Sequence, residues 1–183
     1  MLLELAIASL FFLLIATIAY ALTVCGLFEV IDVKAGRPPF PISGQEVIYK
    51  LERGAYSKAG HLFTEITGDL HRIFKSEDAQ DDRSVAATMP MIGFYYDDPN
   101  TVPEERCRYA VGVVVTDEVK DKVTDAIRKK FEEQEFLFTK LPVVDHVVHA
   151  TFPYVSSFSI FIAVKRVYPA IRNFITVSVR RVP

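Results

Sequence analysis

The chain has 183 residues, half of them hydrophobic, with 21 basic side chains against 23 acidic ones. Near balance of charge excludes a dominant nucleic-acid surface, because such domains usually read as basic. High aliphatic and aromatic content excludes disorder over most of the length, and two cysteines exclude a disulfide framework.

The mean hydropathy is +0.22 although 24% of residues are charged, so the apolar residues must be unevenly spread. Apart from Glu4, no charge precedes Glu29. Leu5 to Phe28 holds no charge, Pro, Asn or Gln, and as a helix it spans roughly 36 Å, enough for a hydrocarbon core of ~30 Å. Ala19-Tyr20-Ala21 offers a signal-cleavage pattern, but no basic segment precedes the run and the run continues past the site. The expectation is an uncleaved anchor over 5–28 with residues 1–4 lumenal. Lys34 and Arg37 follow the span closely and nothing basic precedes it, which places the rest in the cytosol. Cys107, alone beyond the span, suits a reducing compartment, and neither Asn begins a glycosylation sequon. Cys25, near the cytosolic end, is a candidate for acylation.

Residues 29–44 read as a spacer, stiffened by Pro38, Pro39 and Pro41. A single domain over 45–183 follows. Glu46 to Leu51 alternates as a strand. Leu62, Phe63, Ile66, Leu70, Ile73 and Phe74 form one helical stripe within Ser57 to Phe74. The acidic stretch 75–88 reads as a solvated loop or a disordered insertion. Met91 to Tyr96 and Tyr109 to Val115 read as strands around an Asp-Pro-Asn turn. Thr116 reads as the N-cap of a helix with Val119, Val123, Ala126, Ile127 and Phe131 on its buried face. Phe136 to Leu141 and Val147 to Phe152 read as strands. Ser156 to Ile175 reads as a helix that Pro169 kinks or divides, too interrupted by Lys165 and Arg166 to be a second span. The order predicts an α+β domain with a mostly antiparallel sheet and helices on one face.

The chemistry is sparse. No phosphate loop, nucleophile elbow, paired-Cys motif or HExxH is present. His146 and His149 point to opposite faces of a strand and cannot share a metal. His61 and Glu65 lie one helical turn apart and read as an exposed polar pair. Cys107 lies between Arg106 and Arg108, but in a strand these point away from it, so it reads as a buried thiol. No catalytic, metal or cofactor residue is assigned and no enzyme is expected. A small-molecule pocket is conceivable from Glu65, Tyr95, Tyr96, Phe152 and Tyr154. A deep apolar cavity with a buried Glu65 would favour a ligand-binding or hydrolytic domain, and a filled interior an adaptor.

Three groups of strings point further. Tyr95-Tyr96-Asp97-Asp98-Pro99, Val102-Pro103, Cys107-Arg108 and Ala110-Val111-Gly112 form one. His146-Val147-Val148, Ala150-Thr151-Phe152-Pro153-Tyr154, Ser159-Ile160, Ala163, Arg166-Val167 and Pro169-Ala170 form another. Gly54, Tyr56, Gly60 and Leu62-Phe63-Thr64-Glu65 form the third. Together they resemble the testis-expressed protein two-six-four family of single-pass receptors for selective autophagy of the endoplasmic reticulum. The resemblance implies a cytosolic gyrase-inhibitor-like domain of two strand-helix-strand-strand units sharing a sheet, here with the second unit incomplete and Thr176 to Val182 as one remaining strand. It also implies a function in reticulophagy and in repair of DNA–protein crosslinks at the nuclear envelope. The implied partners are the lipid bilayer, autophagosomal ubiquitin-like proteins where a C-terminal tail exists, the valosin-containing unfoldase and a metalloprotease. No direct nucleic-acid contact is expected. The stretch 75–88 reads as an insertion relative to the family. The autophagy motif, an aromatic followed three residues later by an aliphatic after acids, is matched by Phe138 to Leu141, and also by Phe28 to Ile31, Phe63 to Ile66 and Tyr168 to Ile171. Such a motif binds as an added strand with two side-chain anchors, and Phe138 is expected to be core in an internal strand.

Overall fold

The computed structural model describes residues 2–40, 42–75 and 82–179. The chain divides into two compact units, residues 40–143 and residues 1–39 with 144–183.

The first unit is built on a four-stranded antiparallel sheet. Its strands are β2 (Glu46–Arg53), β3 (Met91–Tyr95), β4 (Arg108–Val115) and β5 (Leu137–Lys140), in the order β3-β4-β2-β5. Strand β4 is continuously buried from Tyr109 to Val115, as its β-branched run requires of a central strand. On one face Ile48, Val111, Val113 and Val115 meet the stripe of helix α2 (Ala59–Ile73), where Leu62, Ile66, Leu70 and Ile73 are buried. Phe131, Phe136 and the partly buried Phe138 complete this core, with Phe131 edge-on to both other rings at 5.1 and 6.3 Å. Helix α4 (Asp125–Glu133) is tied to the sheet by Arg128, whose guanidinium donates to both oxygens of Glu46.

Three expectations are corrected here. Residues 82–88 form helix α3 (Asp82–Thr88) where a loop was expected, because Ala86 and Met89 are buried in the core with Val85 packed beside them. Residues 76–81 of that stretch lie outside the described residues. The helix expected from Thr116 is split. Lys120–Lys122 is a 3-10 turn, Val123 leaves helical geometry, and the regular helix starts at Asp125 with Thr124 as its N-cap, whose Oγ1 accepts from the Ile127 N–H at 3.4 Å. Val119, Val123 and Phe131 still reach the core and Ile127 packs partly against it, but Ala126 is exposed, because the break at Val123 shifts the helix that follows out of the predicted phase. Strand β5 is an edge of the sheet rather than internal.

The second unit contains helix α1 (Leu2–Val24), a two-stranded antiparallel sheet of β1 (Val33–Gly36) and β6 (Val147–Ala150), and helix α5 (Ser157–Val179). Strand β1 lies inside the stretch read as spacer. It forms because Val33 to Gly36 finds a partner in β6, with Val33 opposite Ala150 and Gly36 opposite Val147. Helix α5 packs on this sheet. It runs through Pro169 undivided and continues to Val179, so a strand over Thr176 to Val182 is not formed, and residues 180–183 lie outside the described residues. The α+β class holds, but as two separate sheets.

In α1 the three aliphatic hydroxyls are satisfied by the helix itself. Ser9, Thr17 and Thr23 each donate to the carbonyl four residues back at 2.8 Å. This removes their cost in an apolar surrounding. Leu3–Val24 is long and apolar enough to cross a membrane.

Candidate functional site

Helix α2 presents His61, Leu62 and Glu65, with Lys58 of the 3-10 turn just before it, beside Glu52 of β2 and Tyr109 of β4, around an open depression of about 400 Å³. Leu62 and Tyr109 are buried beneath it. Glu65 is 42% exposed and accepts from Lys50 Nζ at 2.9 Å. Lys50 also donates to Asp69 at 2.9 Å and lies 4.7 Å from the Phe136 ring centre. Burial disfavours its charge, but the hydrogen bonds to Glu65 and Asp69 outweigh this and hold its pKa above the usual value. Asp69 is buried and is paired with Lys50 and Arg72. A carboxyl poised for acid catalysis needs an apolar, protonating environment. Glu65 has a cation and solvent instead, and none of the six lining residues is a hydroxyl or thiol nucleophile of the Ser, Thr or Cys kind.

Tyr95 is not a free pocket wall. Its ring stands edge-on to Tyr56 at 4.8 Å and stacks on Tyr109 at 6.4 Å. Tyr96 is exposed and stacks on Phe94. Phe152 and Tyr154 belong to the other unit, where the Phe152 ring lies against Gly26 and Tyr154 is 71% exposed. Within the first unit Glu65, Tyr95 and Tyr96 therefore occupy three environments rather than one cavity wall. The interior on the α2 face is filled by Ile48, Ile66, Leu70, Val111 and Phe131.

A polar cluster that residue-type reasoning missed sits at the end of the β3–β4 hairpin. Asp97 accepts from Arg108 through its backbone N–H at 2.7 Å, Nε at 3.0 Å and Nη2 at 2.8 Å. The Tyr56 hydroxyl accepts from the Asp97 N–H at 2.8 Å and has the Asp97 and Arg108 carbonyls as acceptors at 2.8 and 3.2 Å. The Arg108 bonds hold the Asp97 carboxyl down at about 2. Next to it Cys107 is fully buried, and burial, with Asp97, Glu104 and Glu105 adding to it, pushes its thiol pKa up, so it is no nucleophile. These residues stand in the quoted strings, but their spacing alone carries no signal that they converge.

Phe138 pairs across from Ile48 and packs on Phe131, with Arg128 5.1 Å above its ring. The Leu141 N–H donates to the Gln45 carbonyl. The string Phe138 to Leu141 thus lies on an open edge but has its aromatic anchor in the core. Cys25 is also buried, its Sγ 3.6 Å from Ser156 Oγ, so its thiol is covered in this conformation. His149 Nδ1 is buried without a hydrogen-bond partner. Among the described residues no group of three or more His, Cys, Asp or Glu could hold a metal ion.

A family model described as a GyrI-like small molecule binding domain matches residues 41–155. The chain belongs to the GyrI-like family. Its GyrI-like stretch includes the whole four-stranded sheet and β6 but neither α1 nor α5. The chain is 35% identical over 82% of its length to Testis-expressed protein 264 homolog of Mus musculus, and 33% identical over 92% of its length to Testis-expressed protein 264 of Homo sapiens. The resemblance read from the quoted strings is thereby borne out. The alignments span 42% and 48% of those relatives, so the chain covers about half of their length. No solved structure matches it.

Proposed function

We propose that this protein is a membrane-anchored, non-enzymatic adaptor of the endoplasmic reticulum, acting in its selective autophagy, with the GyrI-like module displayed to the cytosol. The observation that carries the reading is the pairing of Leu3–Val24, an apolar helix that satisfies its own Ser and Thr hydroxyls, with a GyrI-like module whose α2-face interior is filled and whose one candidate acid, Glu65, is exposed and ion-paired. Lys34 and Arg37 after the helix, with no basic residue before it, support the cytosolic side. The autophagy role, a role in DNA–protein crosslink repair at the nuclear envelope and the valosin-containing unfoldase as partner are what the family resemblance implies, and the similarity to Testis-expressed protein 264 supports that resemblance. Autophagosomal ubiquitin-like proteins would be engaged through a C-terminal tail where one carries the motif, since the Phe138 ring is already packed. The test is capture of autophagosomal ubiquitin-like proteins by the membrane-bound protein, with turnover of endoplasmic reticulum measured on its deletion. Capture together with slowed turnover supports receptor activity, and neither removes it.

Membership of a small-molecule-binding domain family favours a second reading, a small-molecule-binding module using the depression between Glu52 and Tyr109. An amphipathic ligand that raises the melting temperature of the wild type, but not of His61→Ala, would support it.

A further inference from the structure

Helix α5 turns one face to its sheet and another to solvent. Ser159 and Ile162 are buried, whereas Ile160, Phe161, Val164, Tyr168 and Ile175 are each 43–58% exposed. Steps of four and seven from Phe161 or Val164 put these five side chains on a single stripe of the helix. A soluble helix turns such a stripe inward, so this one is built for an apolar occupant. Lys165 and Arg172 flank the stripe and are exposed, and no Asp or Glu occurs after Asp145.

The neighbourhood of α5 names the occupant. The chain leaving α1 is fastened at two points, one in the first half of α5 and one at the residue just before it. Arg166 Nη1 donates to the Gly26 carbonyl at 2.8 Å, and Cys25 Sγ lies 3.6 Å from Ser156 Oγ. Gly26 has φ +91, and a Cβ there would come within 2.5 Å of the Phe152 ring, so this junction is closely fitted. The helix that carries the exposed apolar stripe is therefore held at the end of α1, through its opposite face.

We infer that α5 lies in the interfacial layer of the bilayer that α1 crosses, its stripe seated at the headgroup–acyl boundary and Lys165 and Arg172 on anionic phosphates. This rests on the anchor reading of Leu3–Val24. A cationic helix with an aromatic apolar face buries that face about 5–10 Å into the boundary, and anionic lipid strengthens the seat. The seat would hold the two-stranded sheet against the membrane by a second contact.

The chain contains no Trp, so a single introduced Trp reports one position. The full-length protein is reconstituted into vesicles of phosphatidylcholine alone or with phosphatidylserine, each with brominated acyl chains. Leu14→Trp reports the anchor and Phe161→Trp the stripe, with circular dichroism confirming that each variant is folded. We expect L14W to be quenched in both vesicle types, and F161W to be quenched at shallow depth and more strongly with phosphatidylserine. Adding Lys165→Gln and Arg172→Gln should lower the docked-to-free ratio of the stripe about fivefold per charge removed. Quenched L14W with unquenched F161W overturns the inference and leaves the anchor standing. A blue-shifted but unquenched F161W also overturns it, because protein then covers the stripe, from a second copy or a further part of the chain. Equal F161W quenching in both vesicle types overturns the assignment to anionic headgroups. Unquenched L14W overturns the anchor reading and the inference together.

Discussion

Two side chains and one missing side chain fix the local structure of the first unit most firmly. Asp97 and Arg108 make a forked pair with an added backbone bond, the geometry in which a carboxylate and a guanidinium match best. The Asp97 pKa is lowered from 3.8 to about 2, so its contribution is present above pH 4 and is lost as pH falls through 2. Acid titration of wild-type stability should show this loss, and Asp97→Asn should be less stable at neutral pH with a flatter profile between pH 4 and 2. An unchanged profile in the variant contradicts the assignment. Gly112 is the missing side chain. A Cβ there would lie 2.2 Å from the Ile48 carbonyl oxygen and 2.7 Å from the Tyr49 Cα, so the neighbouring backbone would have to move. Gly112→Ala should cost about 3 kcal/mol or more, above the ordinary range for overpacking because no side chain can yield. Thermal unfolding of the detergent-solubilised chain measures it. Neither feature was legible as physics in the sequence. Asp97 and Arg108 are eleven positions apart, and only the strand register Tyr95 opposite Tyr109 brings them together.

Among the elements, the run from Thr116 to Glu133 shows how a correct period can hide a wrong boundary. Thr116, read from the sequence as the cap, precedes an Asp, and so does Thr124. The structure uses Thr124 for the regular helix and leaves the Thr116 hydroxyl buried and unpartnered. A cap to Ala typically costs about 1 kcal/mol, whereas replacing an unsatisfied buried hydroxyl by a methyl of the same shape is neutral or stabilising. Thr124→Ala should therefore lower stability by about 1 kcal/mol and Thr116→Val should not lower it. Denaturant melts that give the reverse order would restore Thr116 as the cap. Strand β4 and helix α2 were legible because their burial is dictated by runs of β-branched residues and by a clean stripe. Helix α3 was not, because Asp82 and its acidic neighbours outweigh Val85, Ala86 and Met89 in any composition window. Strand β1 was not, because four residues carry too little pattern and its partner β6 lies more than 100 positions away.

At the scale of the whole molecule, the sequence already carried the division of labour between an apolar leader and a GyrI-like module. It carried less of the candidate site. A single wall of Glu65, Tyr95 and Tyr96 looked possible as a list of residue types, but pairing decides what each does. Lys50 neutralises Glu65, Tyr56 and Tyr109 occupy Tyr95, and Phe94 stacks on Tyr96. The end of Leu3–Val24 also proved to be more than a tether, since Gly26 is fitted against Phe152 and held by Arg166. Arg166→Ala should therefore loosen the α1–α5 junction without touching the four-stranded sheet. Hydrogen exchange should rise at Gly26 to Phe28 and in the first turns of α5, while β2 and β4 keep their protection. Faster exchange throughout β2 and β4 would contradict this separation.

Membrane insertion and the side on which the module faces can be read in one preparation. Sealed microsomes carrying the protein, labelled after Val143, should be washed in alkaline carbonate and, separately, digested by external protease. For a cytosol-facing anchored protein, the intact chain stays in the membrane pellet and the label is digested without detergent. Extraction of the chain into the supernatant, or a label protected until detergent is added, would contradict this placement.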